Sequence, residues 1–280
     1  MEGIKTASLS TTCLLLAAVA LPAQGAYIND NPAVGVNDYY MGANDQGYGD
    51  LLEDPTTNNF AIEGMTVTRS GNTLTVSIDT EFAGKGDDAL LAGTTKNALK
   101  GIGYGDLFLS NSWTPSGAAP YQPDDNSNGT LWTYGFALAD HWMANGSGTG
   151  TLYSLDAGNN NANAWLSEDF MNSGPLFRNG QEVAVDTNAI TGGARTPIAG
   201  NNSSWSVNDS TIDFIIDLTG TTLDDNNNQT FAFHWTMTCA NDVIEGEVTL
   251  AAVPLPASVW LMGSGLLGLV SIARRRRKQA

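Results

Sequence analysis

The chain has 280 residues and carries 29 acidic side chains against 12 lysines and arginines, a formal charge of −17. That balance excludes a surface for nucleic acid or anionic lipid on the main body of the protein, because both need clustered Lys and Arg. Its length admits one substantial core between terminal segments of a different character.

The first element is an export signal. Lys5 precedes an apolar stretch from Cys13 to Leu21, followed by Pro22-Ala23-Gln24-Gly25-Ala26. A charged start, a hydrophobic middle and small residues at Ala23 and Gly25 form a signal peptide over residues 1–25, cut after Gly25 by signal peptidase. Cys13 stands at the head of the apolar run, which excludes a lipoprotein signal. Its departure leaves Cys239 alone, so no intramolecular disulfide forms, and Cys239 reads as a small buried hydrophobe.

Residues 26–252 have the periodicity of strands. Phe60 to Arg69 alternates apolar and polar residues, Ser70-Gly71-Asn72 marks a turn, and Leu74 to Thr80 alternates again, a β-hairpin with one face buried. Asp106–Leu109, Leu131–Leu138, Thr211–Leu218, Thr230–Met237 and Glu245–Leu250 read as further strands. Stretches 143–164 and 186–210, rich in Gly, Asn, Ser and Asp, read as loops. Asp87 to Leu99 hints at a short helix. The fold expected is all-β: one antiparallel β-sandwich domain, with a jelly roll as one form of it.

Within this domain Gly47-Tyr48-Gly49-Asp50-Leu51 recurs as Gly103-Tyr104-Gly105-Asp106-Leu107. Paired glycines around a tyrosine suit a tight backbone, and a structural role is expected. Asp124, Asn126 and Asn128 alternate ahead of Gly129, the first half of a calcium loop. The second half fails, because Gly135 stands where a closing glutamate belongs. Calcium is the one cofactor the sequence admits, and a solvated hairpin turn is the competing reading. Trp113, Trp132, Trp142 and Trp165 lie in or beside polar stretches, where sugar rings stack on indoles while Asp and Asn take the hydroxyls. Core packing competes for the same tryptophans.

No residues are assigned a catalytic role. His141 and His234 have no zinc-site spacing, no Gly-x-Ser-x-Gly elbow occurs, and no two carboxylates stand out as a glycosidase pair.

The C-terminus is tripartite. Val253, Pro254, Leu255, Pro256 and Ala257 precede an uncharged run over residues 258–273, which ends against Arg274, Arg275, Arg276, Arg277 and Lys278. An apolar helix closed by a basic cluster is a membrane stop with its arginines on the cytoplasmic side. Its 16 residues would span thinly. Without both terminal segments, six basic residues face 28 acidic ones, a formal charge near −22.

Residues 253–280, with their proline motif, short helix and arginine-rich tail, resemble a PEP-CTERM sorting signal of the VPLPA subtype. The resemblance implies handling by a membrane-embedded exosortase that removes the helix and tail, in a Gram-negative host that makes exopolysaccharide and biofilm. The function expected is an exported, non-catalytic surface or extracellular-matrix protein, associated with extracellular polysaccharide and not with nucleic acid. A secreted carbohydrate-active hydrolase using a carboxylate pair, and a scaffold without a ligand, are the alternatives.

Overall fold

The computed structural model describes residues 24–30, 40–42, 59–87, 92–96, 100–155, 164–172, 178–187, 196–224 and 230–250. Thirteen strands run through them: β1 (Gln24–Asn29), β2 (Ile62–Ser70), β3 (Thr73–Thr80), β4 (Leu107–Ser110), β5 (Tyr134–Leu138), β6 (Gly146–Ser154) and β7 (Ala164–Leu166). One helical turn, α1 (Ser167–Phe170), precedes β8 (Glu182–Val185), β9 (Thr196–Pro197), β10 (Ser204–Val207), β11 (Thr211–Asp217), β12 (Thr230–Thr236) and β13 (Val243–Thr249).

Every pairing is antiparallel, in the order β1-β2-β3-β11-β10-β6-β5-β4-β12-β13, with β9 on the side of β6 and β7–β8 as a separate pair. β6 makes the corner. Its residues 146–149 pair with β10, and its residues 150–154 pair with β5. The sheet thus folds over on itself, and side chains from both halves, among them Val67, Val76, Phe136, Trp205, Phe214, Phe233 and Trp235, fill the core. The two ends of the sheet meet. A Cβ on Gly246 of β13 would come within 2.9 Å of the Ile28 side chain of β1, and the Ile62 amide donates to Asp242 Oδ2 at 2.6 Å. The result is the antiparallel β-sandwich expected from the alternation, closed nearly to a barrel. Hairpins β1–β2–β3, β4–β5–β6, β10–β11 and β12–β13 are joined by crossovers, and β12 returns beside β4 in the order β12-β4-β5-β6, a Greek-key connection.

Two expectations are corrected. Stretches 143–164 and 186–210 are not all loop, since they contain β6, β9 and β10. The sequence of β6, Gly-Ser-Gly-Thr-Gly-Thr-Leu-Tyr-Ser, has no apolar alternation because neighbouring aromatics supply the apolar cover. A Cβ on Gly148 would stand 2.2 Å from the Trp205 indole nitrogen, and one on Gly150 would stand 2.5 Å from the Phe136 ring. Glycine in a strand permits that close approach. Of the helix hinted at over 87–99, the described residues show one 3-10 turn, Ala92–Thr94.

β5 is buried on both faces. Tyr134, Phe136 and Leu138 enter the main core. On the other side Phe108, Trp132, Ala137, Leu155, Val185 and Ala232 form a second core. This outer layer places two sites: a buried acid network, and a cleft at the end where β5 finishes.

Candidate functional site: an aromatic cleft above a buried acid network

The cleft forms where β5 ends and α1 begins. Beyond Leu138 the chain turns back on itself. The Trp142 amide donates to Asp140 Oδ1 at 2.9 Å, and the Trp142 indole N–H donates to the Gly101 carbonyl at 2.8 Å. Opposite, β7 carries Trp165, which is 36% exposed. Asp169 caps the helical turn that follows, its Oδ2 accepting the Leu166 amide at 3.0 Å. Trp142, Trp165, Asp169, Phe170 and His141 line a cleft of about 360 Å³. An adjoining hollow of about 260 Å³ shares Trp142, Asp169 and Phe170 and adds Lys96. Lys100 holds its ammonium 5.1 Å from the centroid of Trp142.

The floor of the cleft is the second GYGDL copy. Asp106 is buried, and its two oxygens accept the Leu138 amide at 2.8 Å and the Val185 amide at 2.7 Å, tying β5 to β8. Burial pushes its carboxyl up to about 6, against the lowering effects of His141 and these amides. His141 Nδ1 lies 2.7 Å from the Tyr104 carbonyl. A carbonyl only accepts, so Nδ1 carries the proton. Glycine is required at 103 and 105, where a Cβ would meet the His141 carbonyl at 2.7 Å and the Thr236 carbonyl at 2.3 Å. The structural role expected for this copy is the one found. Residues 47–51 lie outside the described residues.

Behind the cleft, His234 and Glu245 face each other across β12 and β13. His234 Nε2 lies 2.7 Å from the Glu182 carbonyl and therefore donates to it, while Nδ1 meets Glu245 Oε2 at 2.9 Å. Burial pushes Glu245 up to about 8, although Trp113 and Thr130 hydrogen bonds oppose the rise, and holds His234 below its ordinary value. Burial thus favours a neutral pair, in which Glu245 donates its proton to Nδ1, and Oε1 accepts the Trp113 indole N–H at 2.8 Å and the Thr130 hydroxyl at 3.3 Å. Glu182 and Asp124 are each pushed up to about 7, burial being the main cause.

The candidate site residues separate accordingly. Trp142 and Trp165 line one cleft. Trp132 is corrected: at 2% exposure, against the His234 ring, it belongs to the second core and has no face for a glycan. Trp113 is half-buried, engaged by Glu245 and by the edge of Tyr121. The calcium-loop residues divide between the interior and the surface. Asp124 turns inward to a hydrogen bond from Tyr40, and Asn128 stays exposed with its amide on the Pro123 carbonyl at 2.9 Å. Asp125, which the calcium pattern skips, accepts the Ser127 amide at 2.8 Å. Asn126 stands between Asp124 and Asn128, half-buried, its backbone amide donating to the Gly180 carbonyl at 2.8 Å. Among the described residues no three His, Cys, Asp or Glu side chains form a metal cluster.

The remaining candidates, Val253 to Ala257 and Arg274 to Arg277, lie outside the described residues. Their sequence matches the family model of the PEP-CTERM protein-sorting motif over residues 252–278. The chain carries a PEP-CTERM sorting motif. That motif marks an exported protein whose C-terminal membrane-anchoring signal is handled by an exosortase. No curated protein and no solved structure shows significant similarity to the chain. No helix among the described residues is long and apolar enough to cross a membrane, and the span expected over 258–273 is not one of them.

His234–Glu245 is the feature that sequence reasoning missed. Both residues lie in expected strands, but the register that sets 234 opposite 245 depends on where the turn between β12 and β13 falls, which the sequence does not fix.

Proposed function

We propose that this PEP-CTERM protein is a non-catalytic component of the surface or matrix of a Gram-negative cell, freed from its leader by signal peptidase, and that it holds extracellular polysaccharide in the cleft between Trp142 and Trp165. The observation that carries this reading is the cleft itself: two half-exposed indoles, Phe170 and an exposed carboxylate on one concave surface of about 360 Å³. Sugars present apolar C–H faces to indoles and hydroxyls to carboxylates, so this lining suits a pyranose better than an apolar ligand or a phosphate.

Catalysis has little support in the same lining. Both Asp106 oxygens are already engaged by backbone amides, which leaves Asp169 without a second free carboxylate for the acid–base pair of a glycosidase. The test is retention of the protein on immobilised host exopolysaccharide. Trp165→Ala, at an exposed position, should keep the fold and release the protein about tenfold more readily, as loss of an aromatic contact worth about 1–2 kcal/mol requires. Equal retention of Trp165→Ala and the natural protein would reject the cleft as the binding site.

A further inference from the structure

The charge around the cleft selects among polysaccharides, if the cleft is a glycan site as proposed above. Residues 26–252 keep six basic side chains against 28 acidic ones. Two of the six, Arg69 and Arg178, are buried. The lining of the larger cleft contains Asp169 and no lysine or arginine. Lys96, in the adjoining hollow, is drawn to the Glu168 carbonyl. A polyuronate or sulfated glycan would bring its anions toward a domain charged near −22, where the ammonium of Lys100 is already engaged on the Trp142 ring.

The protein also displays the contact that a cationic sugar would make. The Lys100 ammonium stands 5.1 Å from the Trp142 ring centroid, an ammonium resting on an indole face. Trp165, 36% exposed, presents a comparable indole with an exposed carboxylate, Asp169, four residues further on in the same cleft. A sugar bearing a free amine meets both groups: its ring lies on the indole, and its ammonium pairs with the carboxylate.

We infer that the cleft between Trp142 and Trp165 binds a cationic amino-sugar polymer, with Asp169 as the ammonium partner and Trp165 as the stacking face. The acidic domain draws such a polymer in from a distance, and the cleft gives the attraction a place.

The test titrates the exported domain by calorimetry with three oligosaccharides of equal length: fully deacetylated glucosamine hexamer, its N-acetylated form, and a uronate hexamer. The deacetylated hexamer should bind about tenfold more tightly than the acetylated one, and the uronate should not bind, as a charge-assisted contact demands. Asp169→Asn retains an acceptor for the Leu166 amide, so α1 stays capped, and it should lower affinity for the deacetylated hexamer about tenfold. Glu247→Gln removes the same charge from an exposed position on β13 and should change nothing.

Equal losses in Asp169→Asn and Glu247→Gln would mean diffuse attraction to an acidic protein and overturn the inference. Equal binding of both hexamers, lost in Trp165→Ala, would overturn the amino-sugar assignment and leave the glycan cleft standing. Binding of no hexamer, or binding indifferent to Trp165→Ala, would overturn both.

Discussion

Glu245 and His234 show how one residue can set the pH behaviour of the whole domain. Glu245, Glu182, Asp124 and Asp106 have ordinary values of 4.5 or 3.8, and the fold raises them to about 8, 7, 7 and 6. Between those limits the folded state holds protons that the unfolded chain has released, so stability falls as pH rises. His234, lowered by burial, acts in the opposite sense below its ordinary 6.5, while Asp30 and Asp79, raised by burial, act with the four carboxylates. The expected outcome is a melting temperature that declines from about pH 4.5 to pH 8, opposite to the usual acid denaturation. Glu245→Gln keeps a donor for His234 and an acceptor for Trp113, and should flatten the decline between pH 7 and 8. A profile equally steep in the variant would show that Glu245 is not the titrating group. Trp113→Phe removes the donor to Glu245 Oε1 and should cost about 1–3 kcal/mol in urea unfolding, the penalty of a buried acceptor left short of a partner.

At the scale of elements, β6 decides whether the sheet can close. Its first half serves one side of the sandwich and its second half the other, and its glycines let Trp205 and Phe136 lie against its backbone. Gly150→Ala would place a methyl group 2.5 Å from the Ala137 carbonyl, backbone that cannot step aside. It should destabilise by roughly 1–3 kcal/mol or more, as overpacking does. Gly93→Ala is the control, because nothing lies within 4 Å of its Cβ. Equal melting temperatures for the two variants would contradict the close packing of β6. Strands with apolar alternation, β2, β3, β11 and β12, were legible within two residues at each end, because one face of each meets a core. β6 and β10 were not, because the aromatics that cover glycine-rich β6 lie far away in sequence, and β10 has only four residues.

At the scale of the molecule, ten antiparallel strands alternate in direction, so β1 starts at the end where β13 finishes. The chain therefore enters the domain through β1 and leaves it at Leu250 from one end. The cleft, built where β5 ends and β4 begins, lies at the other. Leu250 is buried, and the family motif begins two residues later, at 252. Intact-mass measurement on protein from its host should find a C-terminus near residues 253–257, restored to Ala280 when the exosortase gene is deleted. A chain ending at Ala280 in both strains would refute removal of the helix and tail.

The destination of this protein was written in contiguous residues. A sorting motif is read by its order along the chain, and Val253 to Lys278 keeps that order whatever the domain does. Strand alternation was legible for a similar reason, since a face buried every second residue imprints a period on the chain itself. The tertiary structure alone decided which tryptophans are available. Trp132 and Trp165 look alike in sequence, yet the layer formed by β7 and β8 buries the first and leaves the second half-exposed. It also decided that Asp124 turns inward, and that Asp106, His234 and Glu245 meet partners from distant strands. Such pairings depend on register and layer packing: His234 and Glu245 are eleven residues apart, but the partners that Asp106, His234 and Glu245 meet elsewhere lie 32 to 132 positions away and leave no local pattern to read.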